Sequence, residues 1–251
     1  MKIVVIQISS NKHARIVAME GEQPQNAHED GNAFGPSREL TTAQEWQDWL
    51  SSNLPDFKGN YENAGLLMAS LTIGRNYVID KLSSRGLKGF EKPKVVILTQ
   101  DSATSSPIGS ALGGHVQFVK RSFIEEYSQL DMSAKASVTR TDGEIAFIGT
   151  VPDMFRLAGV EETHHGIFEQ INKDIPPGVD PLSSSMAEYD AREVEYRALR
   201  WQIRYAQEHN LPQHTIDKLK ERLASAKQVR IDLKNAQVKI ASEREHSHEG
   251  N

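Results

Sequence analysis

Residues 151–173 read VPDMFRLAGVEETHHGIFEQINK, with Glu161, Glu162, Thr163, His164 and His165 at the centre. The stretch reads as a helix entered from a strand. Phe155, Leu157, Ala158, Val160, Phe168 and Ile171 recur at helical spacing, and Glu161 and His165 fall on the flank of that apolar stripe. Residues four apart lie on one helical face about one turn apart, so Glu161 and His165 aim two ligand-type side chains at one point. Glu162 sits beside that point. A carboxylate and imidazoles at the edge of an apolar face need a partner, because an unpaired buried charge is costly. A metal ion is one such partner, and a purely structural pairing is another. His164 lies about 100° from His165 around the helix, nearer the middle of the stripe, so it reads as a core histidine.

The 251 residues suffice for one large domain or a core domain with an extension. Hydrophobic residues at 38% and charged residues at 25% describe an ordinary water-soluble chain, and a net charge of −5 gives no global drive toward nucleic acid or an anionic membrane. The absence of cysteine removes disulfides, thiolate metal sites and cysteine nucleophiles. No apolar run approaches the roughly 20 residues of a membrane span, and the opening run is too short for a signal peptide, so the expected location is the cytoplasm.

Outward from the central helix, residues 144–150 read as the strand that feeds it, residues 94–99 as a buried strand and residues 115–120 as an edge strand. Residues 100–114 are small and polar and read as a connection or lid, since no Lys-Ser or Lys-Thr follows their glycines to make a phosphate loop. Near the start, residues 2–8 and 14–19 suggest a hairpin, followed by a polar linker at 20–37. Residues 40–54 read as a helix with Thr41 or Thr42 as N-cap, Glu45 completing a capping box with Thr42 ahead of Trp46 and Trp49, and residues 62–87 form a long, largely buried helix. Beyond the centre, 175–185 reads as a loop with Ser183, Ser184 or Ser185 as cap for a helix over 186–209. Asn210 and Pro212 break it, and a last helix over 215–240 folds back as a hairpin ahead of a disordered tail. The arginines of residues 186–209 alternate with glutamates, which marks a solvated or salt-bridged face rather than a nucleic-acid groove.

The expected fold class is α+β: a small mixed sheet with helices packed on one side and a C-terminal helical hairpin. Residues 1–54 are a hairpin-plus-helix extension, 55–210 the core domain, and 211–251 the last helix and tail. The layout of the core, with its pentad on a helix after an edge strand, resembles the zincin fold of metallopeptidases. The signature of that fold is HExxH, two zinc-ligating histidines with a glutamate as general base. The resemblance places Glu161 at the first histidine, Glu162 at the base and His165 at the second ligand. In the gluzincin subgroup the third ligand is a carboxylate on a downstream helix; Glu193 and Glu195 lead as candidates here, with Glu188 behind them. The resemblance covers roughly residues 62–207.

A carboxylate at position 161 gives one imidazole and two carboxylates, an oxygen-rich set less suited to zinc than to manganese, iron or magnesium. Two functions follow. In the first, the chain is a catalytically degenerate metallopeptidase relative that binds a protein or peptide. In the second, it is an active metal-dependent hydrolase of a peptide or amide bond, with Glu162 as base. A carboxylate-bridged di-iron bundle fits poorly, because the other ExxH spacings, Glu243 with His246 and Glu245 with His248, fall in the polar tail.

Overall fold

In the computed structural model the chain is described over residues 4–8, 33–99, 107–140, 145–171 and 181–248, with side chains described over most of that span but not at 4–8, 135–148, 181–192 or 240–248. The fold is mixed α and β. Four strands, β1 (Ala33–Phe34), β2 (Lys94–Leu98), β3 (Ile108–Ala111) and β4 (Val116–Lys120), form a mixed sheet in the order β1-β2-β4-β3. The β2–β4 pair is parallel, and both flanking pairs are antiparallel. A second, three-stranded sheet is built from Val4–Ile8, β5 (Lys135–Arg140) and β6 (Ile145–Thr150). Val4–Ile8 pairs in parallel with β5, and β5 is antiparallel to β6.

The helices are α1 (Ala43–Asn53), α2 (Tyr61–Ser84), α3 (Arg121–Tyr127), α4 (Val151–Ile171), α5 (Pro181–Glu208) and α6 (Gln213–His248). The capping box at α1 forms as its sequence demands: Thr42 accepts from the Glu45 amide while the Glu45 side chain accepts from the Thr42 amide. α4 opens directly out of β6. The Thr150 hydroxyl donates to Asp153 at 2.7 Å and accepts from the Asp153 amide, so this junction needs no loop.

One face of the four-stranded sheet carries Val95, Ile97, Gln117 and Val119, which the strand register sets side by side. That face meets α4, where Gln117 Nε2 donates to the Gly159 carbonyl. Behind α4 lies α2, and the two helices approach closely. A Cβ on Gly74 would stand 2.0 Å from the Arg156 carbonyl oxygen, and one on Gly159 would stand 2.2 Å from that of Leu71. No real Cβ tolerates such distances, so both positions require glycine. The apolar cluster runs from Leu40, ahead of α1, and Trp46 of α1 through Leu71, Phe155 and Val160 to Leu199 and Leu219.

At its C-terminal end α4 is latched to the segments that lead into β2 and β4. Gln170 donates to the Gly114 carbonyl at 2.8 Å and the Glu91 carbonyl at 3.0 Å, and accepts from the Glu91 amide at 2.6 Å. α5 ends in a Schellman motif: Asn210 is left-handed (φ 52°), the Leu211 amide reaches the Ala206 carbonyl, and the Asn210 amide reaches that of Gln207. α6 then returns along α5 as the expected hairpin.

Several expectations are corrected. Residues 115–120 are interior in the sheet; its edges are β1 and β3, and β3 lies inside the stretch read as a connection. β3 was hard to see because it is four residues long and contains Gly109, whose missing side chain makes room for the Phe118 ring. α5 begins at Pro181 rather than after the serines, since proline is at home in a first helical turn. The tail expected to be disordered is helical as far as His248, with no Gly or Pro to interrupt it. The β6 strand belongs to a separate sheet, and Val4–Ile8 pairs with β5. The expected hairpin partner at 14–19 lies outside the described residues.

The α2–α4 contact makes a direct prediction. Gly159→Ala and Gly74→Ala each lose about 1–3 kcal/mol of stability in urea unfolding, despite the better helix propensity of alanine, because overpacking outweighs it. An unchanged or raised midpoint for either variant contradicts the close crossing.

Candidate metal centre

α4 supplies Glu161 and His165 from one face, one turn apart, as the i, i+4 spacing requires. α5 runs against this face and brings Glu195 to it. The three residues each offer a ligand atom, and these atoms all lie within 4.8 Å of one another. His165 Nε2 lies 3.8 Å from Glu195 Oε2, and its Nδ1 lies 3.8 Å from Glu162 Oε2. Glu162 therefore flanks the cluster. With side-chain exposures of 23% for His165 and 18% for Glu195, the group is mostly withdrawn from water yet still reachable by it.

Buried donors hold both carboxylates. Gln202, two turns along α5 from Glu195, donates Nε2 to Glu161 Oε2 at 2.9 Å and to the Leu157 carbonyl at 3.0 Å. Arg222 crosses from α6 and places Nη2 3.1 Å from Glu195 Oε1. Both Gln202 and Arg222 are buried. Gln202 Oε1 and Arg222 Nε find no hydrogen-bond partner among the described residues. Neither donor was singled out from sequence. Gln202 is one more polar residue in a polar helix, and only the packing of α5 on α4 shows what it touches.

Glu193, the other leading candidate, does not join the cluster. It pairs with Arg197 at 2.7 Å and with Arg230 of α6, on a different face of α5 from Glu195. Two residues along a helix turn the side chain by about 200°, so one ion cannot use both. Glu188 lies in the first part of α5, among the residues whose side chains are not described.

His164 is a core side chain, as its place in the stripe implied. It is 9% exposed, its Nδ1 has no hydrogen-bond partner among the described residues, and burial, with His165 and Arg197 nearby, pushes its imidazole down to about 3. The neighbouring Thr163 is fully buried, with its hydroxyl likewise unpartnered among the described residues.

The chain matches no family model, and no curated protein or solved structure matches it. The donor set therefore rests on its own chemistry: one imidazole and two carboxylates. Three protein ligands at one point would leave positions open on any four- to six-coordinate ion. Among the described residues, no helix is long and apolar enough to cross a membrane.

The buried imidazole sets a pH dependence. His164 binds its proton in the unfolded chain below about 6.5 but in the folded chain only below about 3. The unfolded state therefore holds more protons between those values, and folding stability falls as pH drops through that window. In proton NMR of metal-free protein the His164 ring signals stay fixed from pH 8 to about 5. A midpoint near 6.5 for this ring overturns its assignment to the core.

Proposed function

We propose that the chain is a metal-dependent hydrolase acting on a peptide or amide bond at Glu161, His165 and Glu195. The observation that carries this reading is the convergence of three ligand atoms from two separate helices within 4.8 Å. Sequence spacing alone sets two of them together; the third arrives only through tertiary packing. The class of bond rests on the resemblance of residues 161–165 to the HExxH signature of the zincins.

A divalent ion bound there supplies Lewis acidity, polarising a carbonyl and lowering the pKa of water. The oxygen-rich set favours manganese or iron over zinc. Glu162, next to His165, takes the proton of the attacking water. As the C–N bond breaks, it returns that proton to the leaving nitrogen. His165 and the two flanking carboxylates hold their positions throughout.

A second reading is favoured by one contact. Arg222 already gives Glu195 a cation, so the cluster is partly neutralised by the chain itself. On that reading the protein is a catalytically silent relative that binds a protein or peptide.

Metal analysis separates the two. The hydrolase reading expects about one divalent ion per chain after loading with manganese or iron, lost in His165→Ala. Glu162→Gln keeps the ion and loses about 10²- to 10⁴-fold in peptide or amide hydrolysis. Native protein with no metal, and no thermal shift on adding zinc, manganese or iron, leaves only the binding module.

A further inference from the structure

Each carboxylate of the cluster has one oxygen committed to a buried donor. Glu161 Oε2 receives Gln202 Nε2, and Glu195 Oε1 receives Arg222 Nη2. The remaining Glu195 oxygen, Oε2, faces His165 Nε2. The orientation of the Gln202 amide follows from its partners: both groups within reach, the Leu157 carbonyl and the Glu161 carboxylate, are acceptors, so the NH₂ end must face them. Its oxygen is then a buried acceptor beside the cluster with no partner among the described residues. Without a partner among the described residues and at 3% exposure, that oxygen is open to a hydrogen bond from a ligand.

We infer that Gln202 and Arg222 are positioning residues that restrict Glu161 and Glu195 to one ligating oxygen each, so that the site takes a transition-metal dication carrying exchangeable waters and rejects calcium. This rests on the metal-centre reading above. Calcium seeks six to eight oxygens and commonly takes carboxylates through both oxygens at once. Here the chain offers one nitrogen and two carboxylates, and each donor already holds one oxygen of its carboxylate. Manganese and iron accept the smaller set and fill the rest of their sphere with water. The unpartnered Gln202 oxygen suits a hydrogen bond from such a water.

The two donors differ in kind. Gln202 is neutral and joins α5 to α4, so it fixes the direction of Glu161 without changing the charge. Arg222 is a fixed cation from α6, so it also makes the charge that the ion meets less negative. Removing the first alters geometry alone, and removing the second alters geometry and charge together.

The test uses full-length protein loaded separately with manganese, cobalt and calcium, with affinities from chelator competition and the cobalt absorption spectrum as a report on coordination. Wild type is expected to bind manganese and cobalt and to bind calcium far more weakly. Gln202→Leu and Arg222→Met should each narrow the manganese-to-calcium ratio by about 10- to 100-fold and shift the cobalt bands. Gln202→Glu replaces the donor with an acceptor at equal volume, giving the same loss of discrimination if the leucine variant fails to fold. Arg222→Lys, which keeps charge but not the planar fork, should recover part of the ratio lost in Arg222→Met. Wild type that binds manganese while Gln202→Glu and Arg222→Met leave both ratio and spectrum unchanged overturns the positioning role and leaves the metal centre standing. Wild type that binds none of the three ions removes the metal centre and this inference with it.

Discussion

The backbone contact between α2 and α4 at Gly74 and Gly159 governs how the rest of the molecule is arranged. Two helices that meet through glycines approach more closely than side chains otherwise permit, and the contact fixes their rotation as well as their distance. With Gly159 turned against α2, residues 161 and 165 lie about 200° and 240° further round α4. They face away from α2, toward the side that α5 covers. A single bulkier residue at 159 would both separate the helices and turn the ligand face. The direction of the candidate centre is thus set by a position that carries no functional group.

The second determinant is electrostatic. Glu161, Glu162 and Glu195 gather beside a helical core, and like charges in a poorly solvated place repel one another. The chain offsets this with His165, with the Gln202 amide and with the buried guanidinium of Arg222. Such polar groupings seldom add much net stability against an apolar alternative, so their presence is more informative about chemistry than about folding. His164 and Thr163 mark the inner boundary of the group: one turn of α4 passes from a carboxylate-rich flank to a dry interior.

Much of this was legible in the residues. The helical stripe of 151–171, the Glu161–His165 pair and the core place of His164 follow from periodicity, and the capping box of Thr42 and Glu45 follows from spacing. Glu195 was among several acidic candidates, but the choice between it and Glu193 depends on how α5 is rotated, which a polar helix with mixed charges does not announce. Gln202 and Arg222 carried no local signal, because each gains its role only from a neighbour 41 and 27 residues away in sequence. The edge strand β3 escaped notice for the opposite reason. Its alternation is too brief to register, and its glycine reads as a loop until Phe118 is seen to fill the gap.

The left-handed turn at Asn210 reaches further than its own hydrogen bonds. It lies 15 residues beyond Glu195, roughly 20 Å along the helix, while Arg222 lies 12 residues past it on the returning arm. The phase of the second arm against the first is counted from this reversal. Glycine could stand in for asparagine there with little change in backbone path. One residue added or removed would swing Arg222 about 100° off its mark and strip Glu195 of its counter-charge. The corner thus tolerates changes of residue type but not of length, and a distant loop becomes the tuning element for an ionic centre it never touches.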